Sequence, residues 1–186
     1  MKRIFDLMLA VFAGILLLLP ILLVAVLVRI TSRGPVLYWS DRVGRDNVIF
    51  KMPKFRSMQI GTPALATHLL RDARSHLTPI GSFLRKSSLD ELPQLWSIIK
   101  DDMSFVGPRP ALFNQHDLIE LRTRSGVHRL VPGLTGWAQV NGRDELPIPE
   151  KVTLDTEYLH RKSFWFDLKI IGLTGLKVIR RDNVTH

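Results

Sequence analysis

Apolar residues fill the beginning of the chain almost without interruption. From Ile4 to Val28 the segment is broken only by Asp6, Gly14 and Pro20. About 20 apolar residues are enough for a helix to cross the hydrocarbon core of a bilayer. The pattern therefore predicts a membrane helix, and composition alone leaves a straight transmembrane anchor open as one interpretation.

The flanks of this segment favour a re-entrant helix, which enters and leaves the membrane by the same face. Lys2 and Arg3 precede it and Arg29 and Arg33 follow it, so no charge asymmetry orients a spanning helix. Pro20 removes a backbone hydrogen bond and bends the helix. The stretch is long for a signal peptide, and no small-residue cleavage site follows it. We therefore expect both ends of residues 1–33 to lie on the cytoplasmic side.

Residues 34–186 alternate short strand-like runs with longer helical runs, which predicts one compact domain. Val36–Trp39 and Val48–Met52 flank a polar turn and predict a β-hairpin, with Pro53 restricting the second strand to an edge or an end. A loop with some helix is expected at 59–78, and a short strand among the glycines of 132–143. Helices are predicted at 80–100, 113–124, 150–160 and 164–180. The predicted fold class is α/β, mostly helical.

The last predicted helix, 164–180, separates an apolar face from a basic face. The apolar face carries Trp165, Leu168, Ile171, Gly172, Gly175 and Ile179, and the other face carries Lys169, Lys177, Arg180 and the following Arg181. A helix of this kind can lie in the membrane interface on anionic lipids. Packing of the helix against the domain core is the alternative.

Charge and composition limit the possible partners. The chain carries 26 Lys and Arg against 17 Asp and Glu, a formal net charge of +9, which predicts an anionic partner. The absence of cysteine excludes a disulfide framework and a thiolate metal site. The sequence has no Walker-type loop, no Gly-x-Gly-x-x-Gly and no His-Glu-x-x-His motif. It also has no nucleic-acid-binding motif, so we expect no nucleic acid as partner.

Two adjacent carboxylates, Asp90 and Glu91, follow a pair of cations and begin an apolar helical run. One interpretation is a capping box, with Ser88 as N-cap and Glu91 three residues later. The other is chemical, because a helix N-terminus favours an ionised Asp90 and holds phosphate beside it. An ionised aspartate can attack phosphorus and form an acyl phosphate. Carboxylates and a diphosphate repel each other, so a shielding Mg²⁺ with Glu91 as ligand would be needed.

Arginine recurs beside Pro or Gly in short motifs, of which Gly107–Pro110 is the most rigid. The guanidinium fork makes two parallel hydrogen bonds to phosphate. A single arginine of this kind is more often a surface charge. Its position between two prolines makes a fixed role for Arg109 credible.

Four motifs in this order closely resemble the bacterial sugar transferase family, the small monotopic phosphoglycosyl transferases. They are Lys54–Met58, Ser88–Leu95, Asp102–Pro110 and Pro132–Arg143. The resemblance runs from the apolar segment to about Lys177, without the multi-span N-terminal region of larger relatives. It implies a re-entrant membrane helix broken at Pro20 and a catalytic domain at 34–186.

The resemblance also implies the site. Asp90 matches the nucleophile and Glu91 its neighbour at the Mg²⁺ site, so that both are implied metal ligands. Lys54 matches an essential lysine, and Asp167 a further essential aspartate. Three arginines match phosphate-binding positions: Arg85, Arg109 and Arg143.

The implied reaction is a double displacement at the cytoplasmic face of the bacterial inner membrane. A sugar-1-phosphate passes from a UDP-sugar to Asp90 with release of UMP, and then to undecaprenyl phosphate, which begins glycoconjugate assembly. The sugar stays open because the loops at 61–76 and 144–151 match no pattern. Rival hypotheses are a membrane-tethered nucleic-acid binder, a non-catalytic membrane scaffold and a lipid-diphosphate phosphatase.

Overall fold

The computed structural model describes residues 2–63, 74–142 and 146–180, and for 178–180 the backbone only. The α/β, mostly helical fold class is confirmed. The helices and strands are, in chain order, α1 (Lys2–Leu16), α2 (Leu18–Thr31), β1 (Leu37–Val43), β2 (Ile49–Phe55), α3 (Gly81–Lys86), α4 (Gln94–Ile99), β3 (Ser104–Val106), α5 (His116–Arg124), β4 (Gly133–Thr135), α6 (Trp137–Asn141), α7 (Ile148–Arg161) and α8 (Phe164–Arg180).

The apolar segment forms two helices, α1 and α2, which are bent by 63° at a one-residue break. The ring of Pro20 cannot donate to the carbonyl of Leu16 and clashes with it, which explains why α1 ends there. No helix in the described ranges is by itself long and apolar enough to cross a membrane, but this bent pair passes that test by length and composition. The predicted bend is confirmed, and a straight single helix is wrong.

Polar side chains at the start of α1 attach it to the domain. Asp6 is buried and accepts a hydrogen bond from the Ser104 hydroxyl at 2.7 Å. Arg3 donates to the carbonyls of Ile98 and Ile99 at 2.5 and 2.8 Å. Since these partners surround the end of α4 and the start of β3, α1 has a fixed position on the domain.

Two small sheets shape the domain around these helices. β1 and β2 are antiparallel, with Leu37 opposite Phe55 and Val43 opposite Ile49. The hairpin prediction is confirmed, and Pro53 lies in a two-stranded sheet in which every strand is an edge. β3 and β4 form a short parallel pair.

Each apolar cluster of the core joins elements that are distant in sequence. Ala10 of α1 packs with Met52 and Ile98, and Val28 of α2 packs with Leu84. A separate cluster joins β3 to the last helices through Val106, Tyr158, Phe166 and Ile170. The two N-terminal helices therefore share the domain's core.

The helix predicted at 80–100 is broken in the structure. α3 ends at Lys86, Ser88 adopts the left-handed conformation with φ 57°, and a single 3₁₀ turn spans Leu89–Glu91 before α4 begins. Pro93 has no N–H with which to continue a helical ladder through this region. The apolar periodicity of 80–100 predicts Trp96 on the same face as Leu92, Leu95 and Ile99, but its side chain is 55% exposed.

The C-terminal part also differs from the prediction in two details. A helix, α6, follows β4 in the stretch that was predicted as a turn around a strand. α8 packs on the core through Phe166 and Ile170, while Trp165 on the predicted apolar face is 77% exposed. α8 is thus a core helix that still presents an apolar side chain outward.

Candidate active site

Three elements meet around the carboxylate of Glu91. Lys54 in β2 places its Nζ 2.7 Å from Glu91 Oε1, and Arg109, in the loop after β3, places Nη2 3.0 Å from the same oxygen. Burial alone would raise the pKa of Glu91, but the ammonium and the guanidinium together hold that pKa well below its usual range. Glu91 is therefore ionised at neutral pH and binds two cations.

Asp90 has a different environment from its neighbour. It is 7% exposed, and among the described residues it makes no hydrogen bond and no ion pair. Burial raises the pKa of Asp90 to about 6, against the opposing charges of Lys54, Arg85 and Arg109. The carboxylate thus lies in a basic environment without being neutralised by a direct contact.

This result differs from the expectation that a helix N-terminus would favour the ionised form of Asp90. The residue lies in a single 3₁₀ turn, and α4 begins only at Gln94. Loss of hydration is the largest influence on the pKa of this carboxyl and acts in the opposite direction. The surrounding cations limit the rise in pKa.

The capping-box interpretation is wrong. Ser88 has left-handed backbone angles, φ 57° and ψ 17°, and makes no side-chain capping bond. The Glu91 side chain is bonded to Lys54 and Arg109, which leaves the reciprocal bond of a capping box unformed. The pair of carboxylates therefore belongs to a charged cluster and not to a helix cap.

The structure brings together most of the predicted site residues. Lys54, Asp90, Glu91 and Arg109 lie together, and the charge of Arg85, in the last turn of α3, acts on Asp90. Arg143 lies outside the described residues.

Asp167 lies in a second cluster. It is buried on α8 and contacts Lys2 Nζ at 2.5 Å and the Tyr158 hydroxyl at 2.7 Å. Burial and then the Asp167 carboxylate raise the pKa of Tyr158 well above its usual value. Lys2 also donates to the carbonyl of Val106 at 3.0 Å, at the end of β3. Lys2 thus ties α1 both to Asp167 on α8 and to the strand that leads into the loop of Arg109.

Two buried residues near this loop had no signal in the sequence. Arg122 and Asp155 form an ion pair at 2.6 Å, with side chains 9% and 1% exposed. Both lie on predicted helices, where a charged side chain normally faces solvent. Only the tertiary packing of α5 against α7 reveals them.

The fit to Mg²⁺ can be judged from the donor groups. In the described ranges no group of three or more His, Asp or Glu side chains could hold a metal ion. Mg²⁺ is commonly bound by only one or two carboxylates together with substrate phosphates. Asp90 and Glu91 fit that pattern, although at Glu91 a metal ion would share the carboxylate with Lys54 and Arg109.

Comparison with known proteins shows the family to which the chain belongs. The family model of the bacterial sugar transferases matches residues 1–181, and the chain belongs to this family. The resemblance seen in the sequence motifs is confirmed.

Three relatives show how far the similarity extends. The undecaprenyl-phosphate glucose phosphotransferase of Komagataeibacter xylinus is 42% identical, over 93% of this chain and 35% of its own length. The uncharacterized sugar transferase EpsL of Bacillus subtilis (strain 168) is 38% identical, over 99% and 90%. The UDP-glucose:undecaprenyl-phosphate glucose-1-phosphate transferase of Escherichia coli (strain K12) is 40% identical, over 95% and 40%. The chain thus spans well under half of two of these relatives and most of the third.

Proposed function

We propose that the protein transfers a sugar-1-phosphate from a UDP-sugar to undecaprenyl phosphate, through a covalent intermediate on Asp90. The names of two relatives, the transferases of K. xylinus and E. coli, describe transfer of glucose phosphate to this lipid carrier. Membership of the same family supports a reaction of this class. The identity of the sugar is not part of the proposal.

The observation that carries the proposal is the contrast between two adjacent carboxylates. Glu91 accepts two charge-assisted bonds, from Lys54 and Arg109. Asp90 is influenced by the same cations but has no direct partner among the described side chains. A carboxylate held in position without a neutralising contact keeps its lone pairs available for attack on phosphorus.

In the first displacement an oxygen of Asp90 attacks the β-phosphorus of the UDP-sugar. The new O–P bond forms while the bond from the β-phosphorus to the bridging oxygen breaks, and UMP leaves with that oxygen and its electron pair. Arg109 and Lys54 are placed to attract the negative charge that spreads over the phosphoryl oxygens. Arg85 adds positive charge on the side of Asp90.

In the second displacement an oxygen of undecaprenyl phosphate attacks the same phosphorus. The bond between phosphorus and Asp90 breaks, the carboxylate is regenerated, and the sugar leaves on a lipid diphosphate. Mg²⁺, when bound to Asp90 or Glu91 and the substrate phosphates, would shield the carboxylates from the diphosphate.

The lipid acceptor requires the site to lie at a membrane surface. The bent pair α1 and α2 exposes large apolar side chains, including Phe12, Ile15 and Leu19. We propose that this pair is re-entrant in the bacterial inner membrane and that the site lies on its cytoplasmic face. The exposed Trp165 would lie in the interface with it.

Trapping of the intermediate tests the function. The protein in nanodiscs with Mg²⁺ and UDP-sugar labelled in the sugar, without acceptor, should become labelled at Asp90 and release UMP. Asp90→Asn should lose both labelling and turnover, whereas Asp41→Asn, at an exposed ion pair of the hairpin, should retain them. Normal turnover by Asp90→Asn would disprove the covalent mechanism. Release of inorganic phosphate from a lipid diphosphate, without release of UMP from the UDP-sugar, would identify a phosphatase.

Cysteine accessibility tests the topology. The chain has no native cysteine, so one added before residue 1 and another at Arg33→Cys can be labelled separately. Both should react with an impermeant reagent only from the cytoplasmic side. Labelling from opposite sides would show a spanning helix.

A further inference from the structure

Hydrogen bonds to the main chain hold the loop that carries Arg109 at four successive residues. Four successive carbonyls, from Pro108 to Ala111, each accept a hydrogen bond from a different residue. The donors are Gly133 N at 2.9 Å, Arg122 Nη1 at 2.8 Å, Arg42 Nη1 at 3.1 Å and Val43 N at 2.9 Å, in that order. A loop bound in this way has little freedom to move its backbone.

Arg122 is the donor that acts on Arg109 itself. Its Nη1 donates to the Arg109 carbonyl, while Nε and Nη2 both donate to Asp155 Oδ2, at 3.0 and 2.6 Å. The two functions use different edges of one planar guanidinium, so Asp155 fixes the direction in which Arg122 donates. α5 and α7 thereby control the backbone of a residue outside both helices.

Stability alone is a weak explanation for this pair. Two buried ions lose their hydration, and apolar residues of similar size are often as stabilising or more so. The other Asp155 oxygen, Oδ1, is buried without a hydrogen-bond partner. What an apolar pair could not supply is the directed donor to the Arg109 carbonyl.

We propose that the Arg122–Asp155 pair positions Arg109, holding its backbone so that its guanidinium stays on Glu91 and beside Asp90. This inference rests on the proposed function, since Arg109 then acts on the transferred phosphate. Arg122 and Asp155 touch no reacting atom and are positioning residues. Displacements of about 1 Å at remote residues can reduce a rate by roughly 100-fold.

A double-mutant cycle on activity tests the proposal. Arg122→Lys keeps the charge but cannot bind Asp155 through two nitrogens and the Arg109 carbonyl through a third. We expect kcat/KM for the UDP-sugar to fall by roughly 10- to 100-fold. In an Arg109→Gln background the same change should cost less than about threefold, because the positioned group is gone. Equal losses in the two backgrounds, or no loss in either, would overturn the proposal.

A second double-mutant cycle measures stability and does not depend on enzymatic activity. Arg109→Gln and Glu91→Gln should show coupled effects on the unfolding midpoint, and this coupling should disappear when Arg122→Lys is also present. Persistence of the coupling would contradict positioning by Arg122. If the wild type released no UMP while the coupling behaved as expected, the proposed function would fail and the positioning role would stand.

Matched variants separate positioning from folding. Arg124→Lys makes the same substitution on the same helix, at an exposed ion pair with Glu120, and should leave kcat/KM unchanged. If Arg122→Lys does not fold, Asp155→Asn replaces it in both cycles. It should then lower kcat/KM strongly only when Arg109 is present, and it should remove the coupling between Arg109→Gln and Glu91→Gln. Failure of both to fold, with Arg124→Lys folded, would assign the pair to stability and overturn the inference.

Discussion

At the scale of single residues, adjacent positions on one turn have opposite electrostatic properties. The pKa of Glu91 is held low by two direct cations, whereas the pKa of Asp90 is raised to about 6 by burial. A hydrogen-bonded ion pair compensates for lost hydration, but more distant charges do so only in part. The electrostatic difference between the two carboxylates thus arises from which of them receives the direct contacts, and in the proposed mechanism it leaves Asp90 free to react.

Removal of the Asp90 charge should stabilise the protein at neutral and alkaline pH. The pKa of Asp90 is about 6 in the folded state, against 3.8 for an ordinary aspartate such as that of the unfolded chain, so folding favours its protonated form. The stability contributed by that proton is present at low pH and is lost as the pH rises through about 6. Two pKa units correspond to about 3 kcal/mol, so Asp90→Asn should gain up to about 3 kcal/mol at pH 8 and almost nothing below pH 3.8.

Chemical unfolding across this pH range, with EDTA present, measures the effect. Glu91→Gln is the companion variant and should behave oppositely, because a lowered pKa adds stability above the unfolded-state pKa. It should therefore be less stable than the wild type from pH 8 down to about pH 4.5, and that disadvantage should shrink only at lower pH, as the pH falls toward the lowered pKa of Glu91. An Asp90→Asn protein less stable than the wild type at pH 8 would show that the buried charge is better compensated than we infer.

At the scale of elements, the loop of Arg109 depends on close contact between backbones. A Cβ at Gly107 would lie 2.3 Å from the Val131 carbonyl oxygen, and a Cβ at Gly133 would lie 2.1 Å from the Gly107 nitrogen. The parallel pairing of β3 with β4 therefore requires glycine on both sides. These glycines place the Arg109 loop against the turn that leads into α6.

Gly107→Ala should destabilise the domain by about 1–3 kcal/mol, the usual cost of overpacking. Gly172→Ala is the control, because nothing lies within 4 Å of a Cβ at that position in α8. An alanine there should instead stabilise the helix by about 0.5–1 kcal/mol. Thermal unfolding of the two variants in the same detergent compares them, and equal midpoints would argue against the tight backbone contact.

The elements also show where sequence reasoning succeeded. The hairpin and the bend near Pro20 follow from local chemistry, and both are present. The break at Ser88 was missed because a left-handed serine has no distinctive sequence signal, and the periodicity of 80–100 concealed it. Adjacent Asp90 and Glu91 were recognisable as a candidate site, but their unequal environments depend on side chains from β2 and from the loop after β3.

At the scale of the whole molecule, the apolar N-terminal helices and the domain form one unit. Lys2, Arg3 and Asp6 bind the ends of α4 and β3 and the side chain of Asp167. The Phe5 and Phe164 rings touch with centroids 5.2 Å apart, which places the start of α8 beside the start of α1. The apolar surfaces of α1 and α8 are therefore continuous at this point.

This continuity leads to a prediction about Trp165. Its side chain is 77% exposed and follows directly after Phe164, so a bilayer that holds α1 should also reach this indole. In nanodiscs containing brominated lipids, tryptophan fluorescence should be quenched, and Trp165→Phe should remove a large part of the quenching. Trp39→Phe, which removes an indole from the hairpin, serves as the comparison. Unchanged quenching in Trp165→Phe would place α8 away from the membrane, and the lipid phosphate would then have to approach Asp90 along another side of the domain.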